Sequence, residues 1–295
     1  MKDQAVKANK RIRAAKTRKV SRSAGGTIAI FICLLPFIAM MIVPIYYAII
    51  QSLKPMDEIF AFPPKFYVVR PTMENYSLMF TLLANMWVPF SRYLFNTVFV
   101  TIVATVGHIL IAAMAAYPLS KFQFKLSWLN SLVVWGLMFT TAVLSIPQYL
   151  IMARLGMINT IWVYIIPSLG APMGVFLMKN TMDQIPFALI ESARMDGAGH
   201  FKIFWKIIMP QVKPAWLTLL VFTFSSVWAQ SPTNLVFDEN IKLLSMAIGQ
   251  ITSAGIARTG VANAAAVFMM LPSIIIFLFS QSSMVETMSH SGIKE

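Results

Sequence analysis

Charged and nucleophilic residues are few in this chain, so the places where they gather carry weight. Glu191, Arg194, Asp196, His200, Lys202 and Lys206 fall within sixteen residues inside IPFALIESARMDGAGHFKIFWKIIMP, Ile185 to Pro210. Glu191 and Arg194 stand three apart, which makes them neighbours on one side of a helix. No catalytic constellation accompanies them. His108, His200 and His290 are scattered, and no nucleophile is paired with an activating base. Cys33 is the sole cysteine, so an intrachain disulfide and a cysteine-based metal site are excluded. No Gly-x-x-x-x-Gly-Lys-Ser/Thr run is present to cradle phosphates. The expectation is a non-enzyme: if ATP drives it, hydrolysis happens on another polypeptide.

The elements that must position these residues are apolar. Of 295 residues, 58% are hydrophobic and 12% charged, against about 45–50% and about 25% in soluble chains. Mean hydropathy is +0.70. A water-soluble globular enzyme and a disordered chain are both excluded. Crossings of about 20 apolar residues fit residues 27–52, 93–119, 129–151, 161–178, 214–228 and 261–279. The expected fold is an all-α membrane protein with six transmembrane helices. Its parts are a basic tail (1–25), the first crossing with a Pro-rich outer segment (26–90), a core of five crossings (91–283) and a short tail (284–295). Asn159 and Thr160 are placed to cap the fourth crossing by accepting hydrogen bonds from its free N–H groups.

The net charge of +13 is uneven. Nine basic residues precede Ser23, and a basic flank beside a first apolar span marks a segment held in the cytoplasm. An RNA-binding or lipid-binding tail is the alternative. The apolar run 26–50 is too long for a signal peptide's core and lacks a small-residue cleavage site. With the N-terminus inside, segments on that side hold 17 of the 24 basic residues, including Lys121 and Lys125 in one loop and Lys294 in the tail. That asymmetry points to an N-in, C-in arrangement.

No Asp, Glu, Lys or Arg lies centrally in any span, where a proton- or ion-coupled carrier would keep one. His108, deep in the second span, reads as a packing residue rather than a relay. Pro167, Gly170, Pro172 and Gly174 should kink or break the fourth span, either to line a watery path or simply for packing. Pro147 raises the same question one span earlier.

In the segment 185–210, Pro186 suits a first helical turn and helix formers follow to Met195. Gly197 and Gly199 interrupt the pattern, as a turn needing positive φ requires. Helical spacing resumes with Phe201, Phe204, Trp205 and Ile208 on one face, and Lys202 and Lys206 turned away. The result is helix, glycine turn, helix along the inner surface, ended by Pro210 and Pro214.

Here the chain resembles the integral-membrane subunits of ATP-binding-cassette importers that depend on a binding protein. Their signature is Glu-Ala-Ala, three residues, Gly, nine residues, Ile, one residue, Leu-Pro. This chain reads Glu191-Ser192-Ala193, three residues, Gly197, nine residues, Ile207, Ile208, Met209-Pro210. The resemblance implies a type I importer permease fold, with this segment as the coupling helix that seats in the ATPase. Glu191, Ser192, Ala193, Asp196, Gly197, Ala198, Gly199, Ile207 and Pro210 are its implied contact set. Glu191 would meet an arginine or lysine of the partner, and Asp196 would alternatively cap the second helix.

The resemblance covers nearly the whole chain and is greatest to the smaller permease of maltose-type carbohydrate importers. The outer segment from Ser52 to Tyr76, SLKPMDEIFAFPPKFYVVRPTMENY, looks like that of sugar-uptake permeases. Implied with it are a second related permease forming a heterodimer, two ATPase subunits carrying ATP and Mg, and an extracytoplasmic solute-binding protein. A place in the bacterial cytoplasmic membrane is also implied, with no cofactor on this chain and no nucleic acid. A sugar path would use aromatic faces and uncharged polar groups; Asn96, Gln148, Tyr149, Trp228 and Asn263 are candidates, each more readily a packing or interface residue than a ligand. A non-sugar solute in the same class of importer, or a carrier acting alone, are the competing functions.

Overall fold

A computed structural model describes residues 24–122, 128–232 and 235–291. The expectations for the basic tail up to residue 23, for Lys125 and for Lys294 lie outside them. Among the described residues all regular structure is helical. The chain divides into two compact units, Met1–Ile50 and Gln51–Glu295. The first unit holds most of α1 (Ala24–Ser52), whose span Ile28–Ser52 has a mean hydropathy of 2.8. Pro36 and Pro44 lie inside it.

The second unit opens with α2 (Met56–Ile59) and α3 (Glu74–Ala84) and is organised around α4 (Phe90–Lys121). Helices α7 (Trp162–Leu169), α8 (Pro172–Asp183) and α12 (Lys213–Trp228) pack on α4, and α14 (Thr259–Ser291) packs on α12 and α3. Between these lie α5 (Trp128–Met138), α6 (Thr141–Arg154), α9 (Phe187–Met195), α10 (His200–Ile203), α11 (Met209–Gln211) and α13 (Leu244–Thr252). Four described helices are long and apolar enough to cross a membrane, and six crossings result if each of two bent pairs counts as one.

Small residues let these helices meet, since apolar side chains gain little from leaving lipid for one another. A Cβ on Gly174 of α8 would stand 2.3 Å from Nε2 of His108 and 2.9 Å from Cβ of Ala112. His108 is buried in this contact, with Nδ1 3.3 Å from the Leu169 carbonyl. The fourth span does break, at Gly170–Ala171 between α7 and α8, yet Trp162–Asp183 remains one candidate span of 22 residues.

Three local expectations need correction. The third span is not straight: α5 and α6 meet at 108°, and the break falls beside Thr140 rather than at Pro147, which lies inside α6. Asn159 and Thr160 do not cap α7. Asn159 sits at φ 60°, and its Oδ1 accepts the N–H groups of Phe237 (2.9 Å) and Asp238 (2.8 Å), while the Thr160 hydroxyl donates back to Met157. The last helix, α14, runs to Ser291, past the expected crossing 261–279 and into the stretch read as a tail.

The segment from Ser52 to Tyr76 is tied by polar side chains. Asn75 donates to the carbonyls of Ser52 (2.9 Å) and Lys54 (2.7 Å), the buried Lys54 donates to Lys65 O (2.6 Å), and Glu58 accepts the N–H groups of Val69 (2.8 Å) and Arg70 (3.2 Å).

Candidate functional site

The charged cluster of the sequence forms an elbow whose two arms are α9 and the stretch 200–211. Pro186 precedes α9 as its N-cap. At the other end Asp196 is the C-cap and Gly197 takes φ +77°. Gly197 N donates to Arg194 O and Ala198 N to Ala193 O, both at 2.9 Å. These crossed bonds are the Schellman arrangement, which satisfies carbonyls otherwise orphaned at a helix end. Only Gly197 needs the left-handed conformation: Gly199, at φ −69°, is the extended N-cap of α10. Asp196 closes the first arm, and no side chain caps the second.

The second arm departs from regular helical spacing. Pro210 has no N–H for the Lys206 carbonyl, and its ring crowds that carbonyl. The turn Phe204–Ile208 widens into a π-helix, and Met209 N reaches back five residues to Phe204 O. That shifts the buried face. Ile203, Phe204 and Ile208 are buried, whereas Phe201 and Trp205, expected beside them, are exposed. Such bulges favour functional positions.

Beneath the elbow, Ile190, Ala193, Ile203, Phe204 and Ile208 join Ala112, Ala113, Ala116 and Tyr117 of α4, Met178 and Met182 of α8, and Ala215 and Leu219 of α12. Fully burying each isoleucine contributes about 1.5–3 kcal/mol, so the elbow is held as part of the bundle. Lys121 adds a tie from α4, donating to Ile185 O at 2.7 Å; its position at a span's end carried no sequence signal for this. Glu191, Ser192, Asp196, Gly197, Gly199 and Pro210 remain exposed, Ala198 and Ile207 are half-buried, and Ala193 is buried. The nine implied contact residues are thus gathered on one elbow, mostly on its outward surface.

The five solute-path candidates are not gathered. Asn96 is buried, and its amide donates to Asn240 O (2.8 Å) and Lys242 O (3.1 Å). Trp228 is buried, with Nε1 donating to Met269 O at 3.0 Å. Asn263 donates to Thr259 O at 2.9 Å within its own helix. Only Gln148 and Tyr149 meet, at a cavity of about 420 Å³ between α6 and the chain after α12, where Ser145, Ile146, Ser231, Pro232 and Leu235 also stand. The serines escaped notice because nothing in their local sequence sets them apart.

Near the same end of the bundle, carboxylates order the loop after α12. Asp238 is held below its ordinary pKa by hydrogen bonds from the backbone and side chain of Asn240, with Arg92 adding to this. For Glu239 burial opposes ionisation, yet hydrogen bonds from Lys242, Gln250 (3.2 Å) and Tyr93 (3.1 Å) prevail and hold its pKa down.

Comparison with known proteins adds to this geometry. Residues 12–289 match the family described as "Binding-protein-dependent transport system inner membrane component". The chain is 32% identical over 209 residues to the "Probable ABC transporter permease protein YurM" of Bacillus subtilis, covering 69% of this chain and 70% of that one. It is 26% identical over 287 residues, 94% of this chain and 99% of the other, to the "Arabinooligosaccharides transport system permease protein AraQ" of Halalkalibacterium halodurans. Its fold is similar, at a TM-score of 0.72 and 22% identity over 88% of this chain and 98% of the other, to a chain in the crystal structure of a bacterial ABC transporter involved in the import of the acidic polysaccharide alginate.

Proposed function

We propose, from the premise that this chain belongs to the family of binding-protein-dependent transport system inner membrane components, that it is one of two permeases in an ATP-driven oligosaccharide importer. Support for a carbohydrate cargo is the likeness, along nearly the whole chain, to a protein named for arabinooligosaccharides. In this reading the chain crosses the bacterial cytoplasmic membrane six times, N-in and C-in, with each bent helix pair counting as one crossing. A second, related permease supplies the other half of the path. Two ATPase subunits bind ATP and Mg, and an external binding protein delivers the solute.

The observation that carries the proposal is the elbow. Its apolar underside is built into α4, α8 and α12, while Glu191, Ser192, Asp196 and Gly197 face outward. A body fixed in this way passes a push at its tip into the helices behind it. The machine then has two states, biased by nucleotide at one end and by the loaded binding protein at the other. The experiment is ATP-dependent oligosaccharide uptake by the reconstituted complex. Glu191→Lys should abolish uptake while capture by the external protein persists. Unchanged uptake would refute the role of the elbow.

A further inference from the structure

We propose that the cavity between α6 and the chain after α12 is a saccharide subsite selective for uncharged sugars over uronates, a specificity device on this chain that rests on the transport reading above. Its volume of about 420 Å³ lies within the roughly 300–1,000 Å³ of small-molecule sites. Its polar groups are all neutral. Gln148 can donate and accept, and the hydroxyls of Ser145 and Ser231 can do both. The Ser145 hydroxyl donates to Ala142 O at 2.7 Å, which leaves its oxygen lone pairs to accept from a sugar. Tyr149 is exposed and adds an aromatic face with a polar tip, the surface that suits the apolar side of a pyranose or furanose ring. Ile146 and Leu235 complete an apolar wall.

No cation is among the described lining residues. Arg154, five residues beyond Tyr149 at the end of α6, is not among the lining residues, and two cations elsewhere are engaged: Lys242 with Glu239, and Arg92 with the Asn240 carbonyl at 3.2 Å. The carboxylates of Asp238 and Glu239 follow shortly after Leu235 in the chain. An oligouronate would therefore lose hydration without meeting a countercharge, which is costly, whereas a neutral sugar would exchange water for hydroxyl and amide partners.

The test uses the full complex in proteoliposomes, with Cys33→Ser as background and Ser231→Cys supplying this chain's only thiol. Alkylation at position 231 is followed with maltopentaose and arabinopentaose as neutral probes and a mannuronate pentasaccharide as the acidic one, without the binding protein. A neutral probe should slow alkylation severalfold and the acidic probe should not. Tyr149→Ala should raise the neutral-sugar concentration for half-protection roughly 2- to 10-fold, the range for one lost aromatic contact. Gln148→Arg should make the acidic probe protective, a gain that misfolding cannot mimic. Equal protection by acidic and neutral probes overturns the proposal. So does no protection by a neutral pentasaccharide that the unmodified complex imports. If the unmodified complex imports no oligosaccharide, the transport reading fails and this subsite with it.

Discussion

The Ala198 amide donates to the Ala193 carbonyl at 2.9 Å, across a turn whose apex, Gly197, holds φ at +77°. That bond fixes the angle between two short helices that neither could hold alone, since isolated helices of this length are marginal. Ala193 is buried against α4, α8 and α12, so the turn is referenced to the bundle.

Gly197→Val should cut ATP-driven uptake severely. The left-handed conformation costs an L-residue roughly 1–2 kcal/mol, although open space surrounds the site. Gly197→Asn, a residue more tolerant of that conformation, should keep more uptake than valine. Equal activity of the two variants would show that backbone conformation is not what the glycine supplies.

Gly174→Ala should lower the thermal stability of the purified complex, because a methyl group there meets His108 and Ala112. Overpacking typically costs about 1–3 kcal/mol. Adding His108→Ala should recover part of the loss, because the side chain at 2.3 Å is removed. A thermal-shift series on the four proteins of this double-mutant cycle checks it.

Asn159→Ala should loosen the loop of residues 235–241. Two N–H groups lose their acceptor, and each unsatisfied amide costs about 1–3 kcal/mol where it is shielded from water, less where it is exposed. Faster hydrogen exchange confined to this loop, with the elbow unchanged, is the expected pattern. Asn159→Gly should show the same exchange despite suiting φ 60°, because the lost group is the side-chain oxygen.

Acid should relax the segment around Glu58 and the loop after α12. For Glu58 burial opposes ionisation, but the N–H groups of Val69 and Arg70 with Lys54 and Lys65 outweigh it, so its pKa is lowered, as are those of Asp238 and Glu239. With the folded pKa below the unfolded one, the unfolded chain binds more protons. The stabilisation is complete above about pH 5 and is lost as pH falls through the folded values. Hydrogen exchange around residues 66–72 and 237–242 should therefore accelerate as pH drops from about 5 to 3, after correction for intrinsic rates.

Much of this molecule was legible because its determinants are local. Apolar runs must be helices in lipid, where each backbone amide needs an internal partner. The spacing from Glu191 to Gly197 to Pro210 marked the elbow, although the second arm runs through Pro210 to Gln211 instead of ending there. The sequence also singled out Gly170 and its neighbours as the place where the fourth span breaks.

What only tertiary structure decided are relationships between distant residues. Asn159 serves a loop nearly eighty residues away rather than the adjacent helix, and Asn96 is consumed by the carbonyls of Asn240 and Lys242. The π-helical turn moved Phe201 and Trp205 off the buried face. Ser231 came to share a cavity with Ser145, Gln148 and Tyr149 of α6 only when the chain after α12 met that helix. Periodicity reports which way a side chain points from its own helix; which atoms it then meets depends on how separate helices pack, and a single helix does not encode that.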